Sequence, residues 1–289
     1  MRSITGTTTV VGVFGHPVEH SLSPAMHNAA FAAQGLDWVY VPFAVRPDAL
    51  EAALAGAVAL NMRGMNVTIP HKQAVLPLLD RLTPDAEAIG SVNTILISAA
   101  GTLGHSTDGP GFLRALRERG FPLAGAQVVI LGSGGASRAV VGALATAGVA
   151  AMTIVARRPE RGMGLVVLAK QRAPRAIEVA VIPWDDGAQA AIAHAQLLVN
   201  ATSVGMAPHD VGSSPVPQEW LHARLWVYDL VYTPRPTALL SAAVAQGCTT
   251  IDGVAMLVYQ GAEAYTLWTG QPAPVKVMEA AVTAHLSGA

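Results

Sequence analysis

The sequence has a single cysteine, Cys248, among 289 residues. No disulfide can close within the chain, which suits a reducing compartment. Charge is scarce as well: 13% of residues are Asp, Glu, Lys or Arg, and 18 basic groups against 19 acidic ones leave a net charge of −1. There is no basic field to gather nucleic acid and no acidic tail, so no nucleic-acid partner is expected. The first residues, Met1-Arg2-Ser3-Ile4 and the threonines after them, lack the apolar core of a signal peptide, and a cytoplasmic location is expected. One long uncharged run, Ala139 to Ala156, has the length of a membrane span, but Gly142, Thr146, Gly148 and Thr153 interrupt it. It reads instead as a buried helix stopped at Gly148, a turn and a buried strand, and no membrane partner is expected.

What is present is apolar: 52% of the chain. That argues for a globular protein with room for one large α/β domain or two smaller ones. Strand and helix patterns alternate along the whole length, which points to the α/β class. Strands are expected at 9–14, 38–45, 64–69 and 93–97, with helices at 24–34 and 48–60. Gly109-Pro110-Gly111 reads as a hinge, followed by a helix over 112–119. Six further strands, near 127–132, 151–156, 178–183, 196–201, 225–231 and 249–252, have the cadence of a doubly wound, Rossmann-type dinucleotide-binding sheet. Two helices, 254–268 and 274–286, close the chain. The expected organisation is a substrate-binding domain over 1–108, completed by 253–289, and a nucleotide-binding domain over 109–252.

The nucleotide expectation rests on Val128 to Val141, where an apolar strand runs into Gly132-Ser133-Gly134-Gly135-Ala136 and then a helix. Glycines let the backbone approach a pyrophosphate, and the helix start offers unpaired N–H groups. The next strand ends in Ala156-Arg157-Arg158, with Arg161 close behind, where an NAD enzyme usually carries an acidic residue for the ribose 2′-hydroxyl. Guanidinium groups there suit a 2′-phosphate, which argues for NADP; Glu160 keeps NAD possible.

Two segments carry other chemistry. Gly64 to Lys72 sets Lys72 just beyond a strand, and Gly104 to Gly109 sets Asp108 at the expected boundary. A lysine beside an aspartate in a cleft is a plausible proton-transfer pair, but spacing alone favours a surface lysine and a helix-capping aspartate. The stretch Gly15 to Pro24, GHPVEHSLSP, contains an H-x-x-E-H pattern known from zinc peptidases. The zinc reading needs His16 and His20 on one helix. Ser23-Pro24 is itself a helix start, with Ser23 as N-cap and Pro24 as first residue, which leaves 16–20 as loop, and no motif places a third ligand. No metal is expected.

GHPVEHSLSP, NVTIPHK, AIGSVNTI, HSTDG, GSGGASR, NATSVGM and DGVAMLVYQG occur in that order, and in combination they resemble the shikimate dehydrogenase family over about residues 10 to 270. The resemblance implies NADP-dependent reduction of 3-dehydroshikimate to shikimate, in aromatic amino acid synthesis. It implies Lys72 and Asp108 as the catalytic pair and Ser21 and Ser23 on the substrate carboxylate. It places Asn66, Thr68, Asn93, Tyr232 and Gln260 around the rest of the substrate. Gly132, Ser133, Gly134, Gly135, Ala136, Arg157, Arg158 and Arg161 fall on the NADP side. This chain departs from the family at Ser106, where asparagine is usual, at His71, where phenylalanine is usual, and at Ala156-Arg157-Arg158, where Asn-Arg-Thr is common. His71 reads as a packing substitute. A quinate/shikimate dehydrogenase using NAD or both cofactors is the alternative, and a dinucleotide-binding protein without catalysis a third. Monomer and homodimer are both open.

Overall fold

The computed structural model of the chain describes residues 4–208 and 210–288. They divide into two compact units, one running to Gly111 and resumed from Leu257, the other Phe112–Met256.

The first unit is built on strands β1 (Thr9–Gly15), β2 (Trp38–Ala44), β3 (Gly64–Val67), β4 (Arg81–Leu82), β5 (Thr94–Ser98) and β6 (Gly101–His105). Its helices before the boundary are α1 (Ser23–Ala33), α2 (Leu50–Ala59), α3 (His71–Ala74) and α4 (Pro84–Ile89). The sheet order is β2-β1-β3-β5-β6-β4. β1 pairs in parallel with β2 and β3, whereas β5 runs antiparallel to both β3 and β6. That mixture brings the carboxyl ends of β1, β3 and β6 and the amino end of β5 to one edge of the sheet. Phe14, Leu54, Met65, Val67, Val75 and Ile95 belong to the core packed on one face. On the other, Trp268 of the returning chain is buried and its indole N–H donates to the Ile95 carbonyl at 3.0 Å. Gly64 lies against that indole, a place no side chain could share.

The boundary falls within α5 (Asp108–Glu118) and again within α10 (Gly253–Thr269), which α11 (Val275–Leu286) follows. The second unit carries β7 (Gln127–Leu131), α6 (Gly135–Thr146), β8 (Ala151–Val155), α7 (Met163–Arg172), β9 (Glu178–Ile182) and α8 (Asp186–His194). Then come β10 (Leu197–Asn200), β11 (Trp226–Asp229), α9 (Ala238–Ala245) and β12 (Thr249–Ile251). All pairs are parallel, in the order β12-β11-β10-β7-β8-β9. This is the doubly wound order, with its switch point between β7 and β10.

Three local expectations need correction. The helix expected over 112–119 starts earlier: Gly109-Pro110-Gly111 form the first turn of α5, which begins at Asp108. A first-turn proline loses no hydrogen bond, because the N–H it lacks has no intrahelical acceptor there. Ser23 is not the N-cap of α1. Leu22 already has helical dihedrals and occupies the cap without a side-chain bond, so Ser23 and Pro24 stand inside the first turn. The third strand ends at Val67 rather than Ile69. Among the described residues no helix is long and apolar enough to cross a membrane.

Candidate active site

The loops after β1 and β3 run side by side at the edge just described. The His16 N–H donates to the Ile69 carbonyl at 2.9 Å, and the Thr68 N–H to that of Phe14 at 2.9 Å. Gly15 allows this contact: a Cβ there would stand 2.5 Å from the Thr68 methyl. Residues 16–22 are loop, so His16 and His20 share no helix, and the Glu19 carboxylate turns back onto the Val18 N–H at 2.9 Å. Those local hydrogen bonds hold Glu19 below the usual carboxylate range. Ser21 Oγ accepts from the Ser23 N–H at 3.3 Å. Both serines thus stand at the start of an 11-residue helix.

Lys72 sits in the one-turn helix α3. Its carbonyl accepts from Val92 N–H at 2.9 Å. The preceding His71 is fully buried, and its Nε2 donates to the Val45 carbonyl at 2.7 Å. A carbonyl only accepts, which sets the tautomer. His71 therefore anchors the turn to the Val45 carbonyl. Lys72 Nζ meets Asp108 Oδ2 at 2.5 Å, with 17% and 6% of the two side chains exposed. Asp108 Oδ1 accepts from Asn93 Nδ2 at 2.9 Å, and Gln260 Oε1 accepts from the same amide at 3.1 Å. The Thr107 N–H, which can only donate, reaches Asn93 Oδ1 at 2.7 Å. The Asn93 amide is thereby oriented, with its donor end turned to Asp108. Gln260 Nε2 donates to the Leu257 carbonyl at 2.8 Å, which orients the second amide in the same way.

Asn66 lies one strand over. Its Nδ2 donates to the Asn93 carbonyl and to Thr94 Oγ1, each at 3.0 Å, and its Oδ1 accepts from the Tyr40 hydroxyl at 2.8 Å. Both donor protons are committed within the protein, so Asn66 can offer a ligand only an acceptor lone pair. Lys72, Asp108, Asn93, Gln260 and Asn66 are therefore joined in one hydrogen-bonded network. Ser21, Ser23 and Thr68 stand at the same sheet edge. An ammonium held against a carboxylate can give a proton to an oxygen gaining electron density and recover one in the reverse direction.

In the second unit, Gly132 has φ +104° and a Cβ there would stand 2.9 Å from the Thr202 methyl, so the turn after β7 requires glycine. Ser133 and Gly134 lead into α6, whose first residues are Gly135 and Ala136. In that first turn Ser137 Oγ is buried with no hydrogen-bond partner among the described residues. A glycine turn at the switch point, a 12-residue helix start and an orphaned hydroxyl fit a dinucleotide's phosphates. Arg157, Arg158 and Arg161 are exposed just after β8, the strand paired with β7. They fit a further phosphate. Across the switch point, buried Asp229 accepts from Asn200 Nδ2 at 2.9 Å, the Val231 N–H at 3.0 Å and Thr237 Oγ1 at 2.7 Å. Burial pushes its carboxyl up, and those hydrogen bonds pull the other way. They fix the loop carrying Tyr232, whose hydroxyl burial also pushes up.

Sequence reasoning missed Tyr40, Thr94, Thr107, Asn200 and Asp229 as members of these networks. Asp229 had a readable signal, as an acidic residue in an otherwise apolar strand. Tyr40 had none, since a tyrosine in a strand is an ordinary core residue.

Family models match residues 13–95, as the shikimate dehydrogenase substrate binding domain, and residues 253–283, as the shikimate 5′-dehydrogenase C-terminal domain. Shikimate dehydrogenase (NADP(+)) of Moorella thermoacetica is 49% identical over 280 residues, covering 96% of this chain and 94% of its own. Among solved structures, a shikimate dehydrogenase in complex with NADP+ superposes with a TM-score of 0.90 at 37% identity, covering 98% of each chain. A quinate dehydrogenase from Corynebacterium glutamicum in complex with NAD gives 0.87 at 37% identity, covering 96% of this chain and 99% of its own.

Proposed function

The chain belongs to the shikimate dehydrogenase family, and from that premise we propose that it interconverts 3-dehydroshikimate and shikimate with NADP, as a step of the shikimate pathway. When bound, the cofactor supplies or accepts the hydride. The protein's own work is to hold the substrate and manage one proton. Lys72 gives its proton to the carbonyl oxygen as that oxygen becomes a hydroxyl, and takes it back in the oxidative direction. Asp108 holds the ammonium in place and is itself held by Asn93. Ser21 and Ser23 bind the carboxylate at the start of α1. Thr68, Asn93 and Gln260 line the ring hydroxyls, and Asn66 accepts from one of them. Tyr232 completes the substrate contacts. Gly132 to Ala136 take the pyrophosphate, and Arg157, Arg158 and Arg161 the 2′-phosphate. We assign the first unit to substrate and the second to cofactor, and the enzyme to the cytoplasm, where its single thiol stays reduced.

The observation that carries this reading is the Lys72–Asp108 pair, largely buried and bonded through Asn93 to Gln260. Steady-state rates on shikimate and quinate, each with NADP and with NAD, test it. Shikimate with NADP should give the highest kcat/KM. The likeness to a quinate dehydrogenase holding NAD favours quinate with NAD as the second reading. No turnover on any of the four combinations refutes both.

A further inference from the structure

Asp108 and Gln260 come from segments far apart in sequence, yet both accept from the one Asn93 amide group. For two carriers to reach the same –NH2, their backbones must approach closely. The approach occurs one turn beyond Asp108, at Gly111. A Cβ on Gly111 would stand 2.6 Å from the Gln260 amide nitrogen and 3.0 Å from its Cα and Cβ. The obstacle is main chain, so no change of rotamer relieves it.

We propose that Gly111 is a positioning residue: its missing side chain lets the Gln260 backbone sit deep enough for the Gln260 amide to meet Asn93 beside the catalytic aspartate. This rests on the substrate role given to Gln260 above. A methyl group at 111 lacks about 1 Å of the ~3.5 Å that non-bonded atoms require. Of the two segments, Gln260 is the one that yields. Asp108 is gripped by both Lys72 and Asn93, whereas Gln260 reaches Asn93 through the longer contact, 3.1 Å. Moved back by that much, it passes beyond hydrogen-bond range, and the substrate loses an oriented amide.

The test is a cycle of Gly111→Ala, Gln260→Asn and the double variant, with kinetics in shikimate and in cofactor. Gln260→Asn withdraws the amide by one methylene and leaves the contact at 111 alone. Each single variant should raise the shikimate KM by roughly 5- to 100-fold, the equivalent of one hydrogen bond in a desolvated site, with kcat and the cofactor KM within about threefold. The double variant should be no worse than the worse single, because both act on the same amide. Loss of thermal stability in Gly111→Ala with an unchanged shikimate KM would overturn the proposal, as would fully additive effects. Should Gly111→Ala fail to fold, Gln260→Asn still decides: a normal shikimate KM removes the link from this backbone contact to the substrate. A wild-type enzyme inactive on shikimate refutes the functional reading instead, so the two failures are distinct.

Discussion

His27 offers a quantitative test of how the first unit is stabilised. Its imidazole is fully buried, stacked on Tyr40 at 4.5 Å and flanked by Trp268 at 5.4 Å. Neither ring nitrogen has a hydrogen-bond partner among the described residues. Burial alone pushes its pKa from the ordinary 6.5 down to about 3. Between those values the unfolded chain binds a proton that the folded chain refuses, so stability rises with pH across the window. The contribution is complete above pH 6.5 and is lost as pH falls towards 3. Over the whole window it is on the order of 5 kcal/mol, and between pH 7 and pH 5 about 2 kcal/mol. Replacing His27 by phenylalanine removes the titration and keeps an aromatic ring in the stack. Urea unfolding at pH 7 and pH 5 should show the wild type losing about 2 kcal/mol more than His27→Phe. Imidazole resonances of the folded protein should show His27 neutral down to at least about pH 4. Equal losses in the two proteins, or a His27 that titrates near 6 while the protein is folded, would refute the reasoning.

Removing the lysine in Lys72→Ala should lower kcat by roughly 10²- to 10⁴-fold with little change in the shikimate KM, measured in the oxidative direction; normal turnover excludes its role as proton carrier. Tyr40→Phe keeps the ring on His27 but takes from Asn66 a buried donor at 2.8 Å. It should cost about 1–3 kcal/mol in chemical unfolding, and an unchanged midpoint would mean the bond contributes nothing. Replacing Arg157 and Arg158 together by serine should raise the NADP KM by roughly tenfold or more while sparing the NAD KM, because only NADP carries the 2′-phosphate. Equal effects on both cofactors would place the arginines elsewhere.

The strands of the second unit were legible because a parallel sheet covered on both faces is written as short apolar runs, such as VVIL of β7 and LLVN of β10. β6, GTLGH, carries two glycines and no β-branched run, and was not read as a strand; β4 has only two residues. α4 had a signal that went unused: Thr83 accepts from the Ala86 N–H at 3.3 Å, with Pro84 behind it as first residue. The helix start at Asp108 is hidden by Gly109-Pro110-Gly111, which reads as a hinge because glycine and proline disfavour helix interiors, a rule that lapses in a first turn. Site residues followed from the family resemblance and not from spacing. Asn93 and Gln260 lie 167 positions apart, and no periodicity reaches that far. Membership of Tyr40 and Thr107 in the network depends on which way two amides face, and only coordinates reveal that.

The first unit is closed by residues that follow the whole second unit in the chain. Trp268 roofs the sheet and Gln260 touches Asn93, yet both emerge from the ribosome only after the whole of Phe112–Met256. A nascent chain can finish its parallel sheet early and fold it as a unit, while the earlier-made strands wait with Gly64 and the Ile95 carbonyl uncovered. A chain arrested before Leu257 lacks both the amide that meets Asn93 and the indole that covers Gly64, so its first unit stays unfinished until the second has been made.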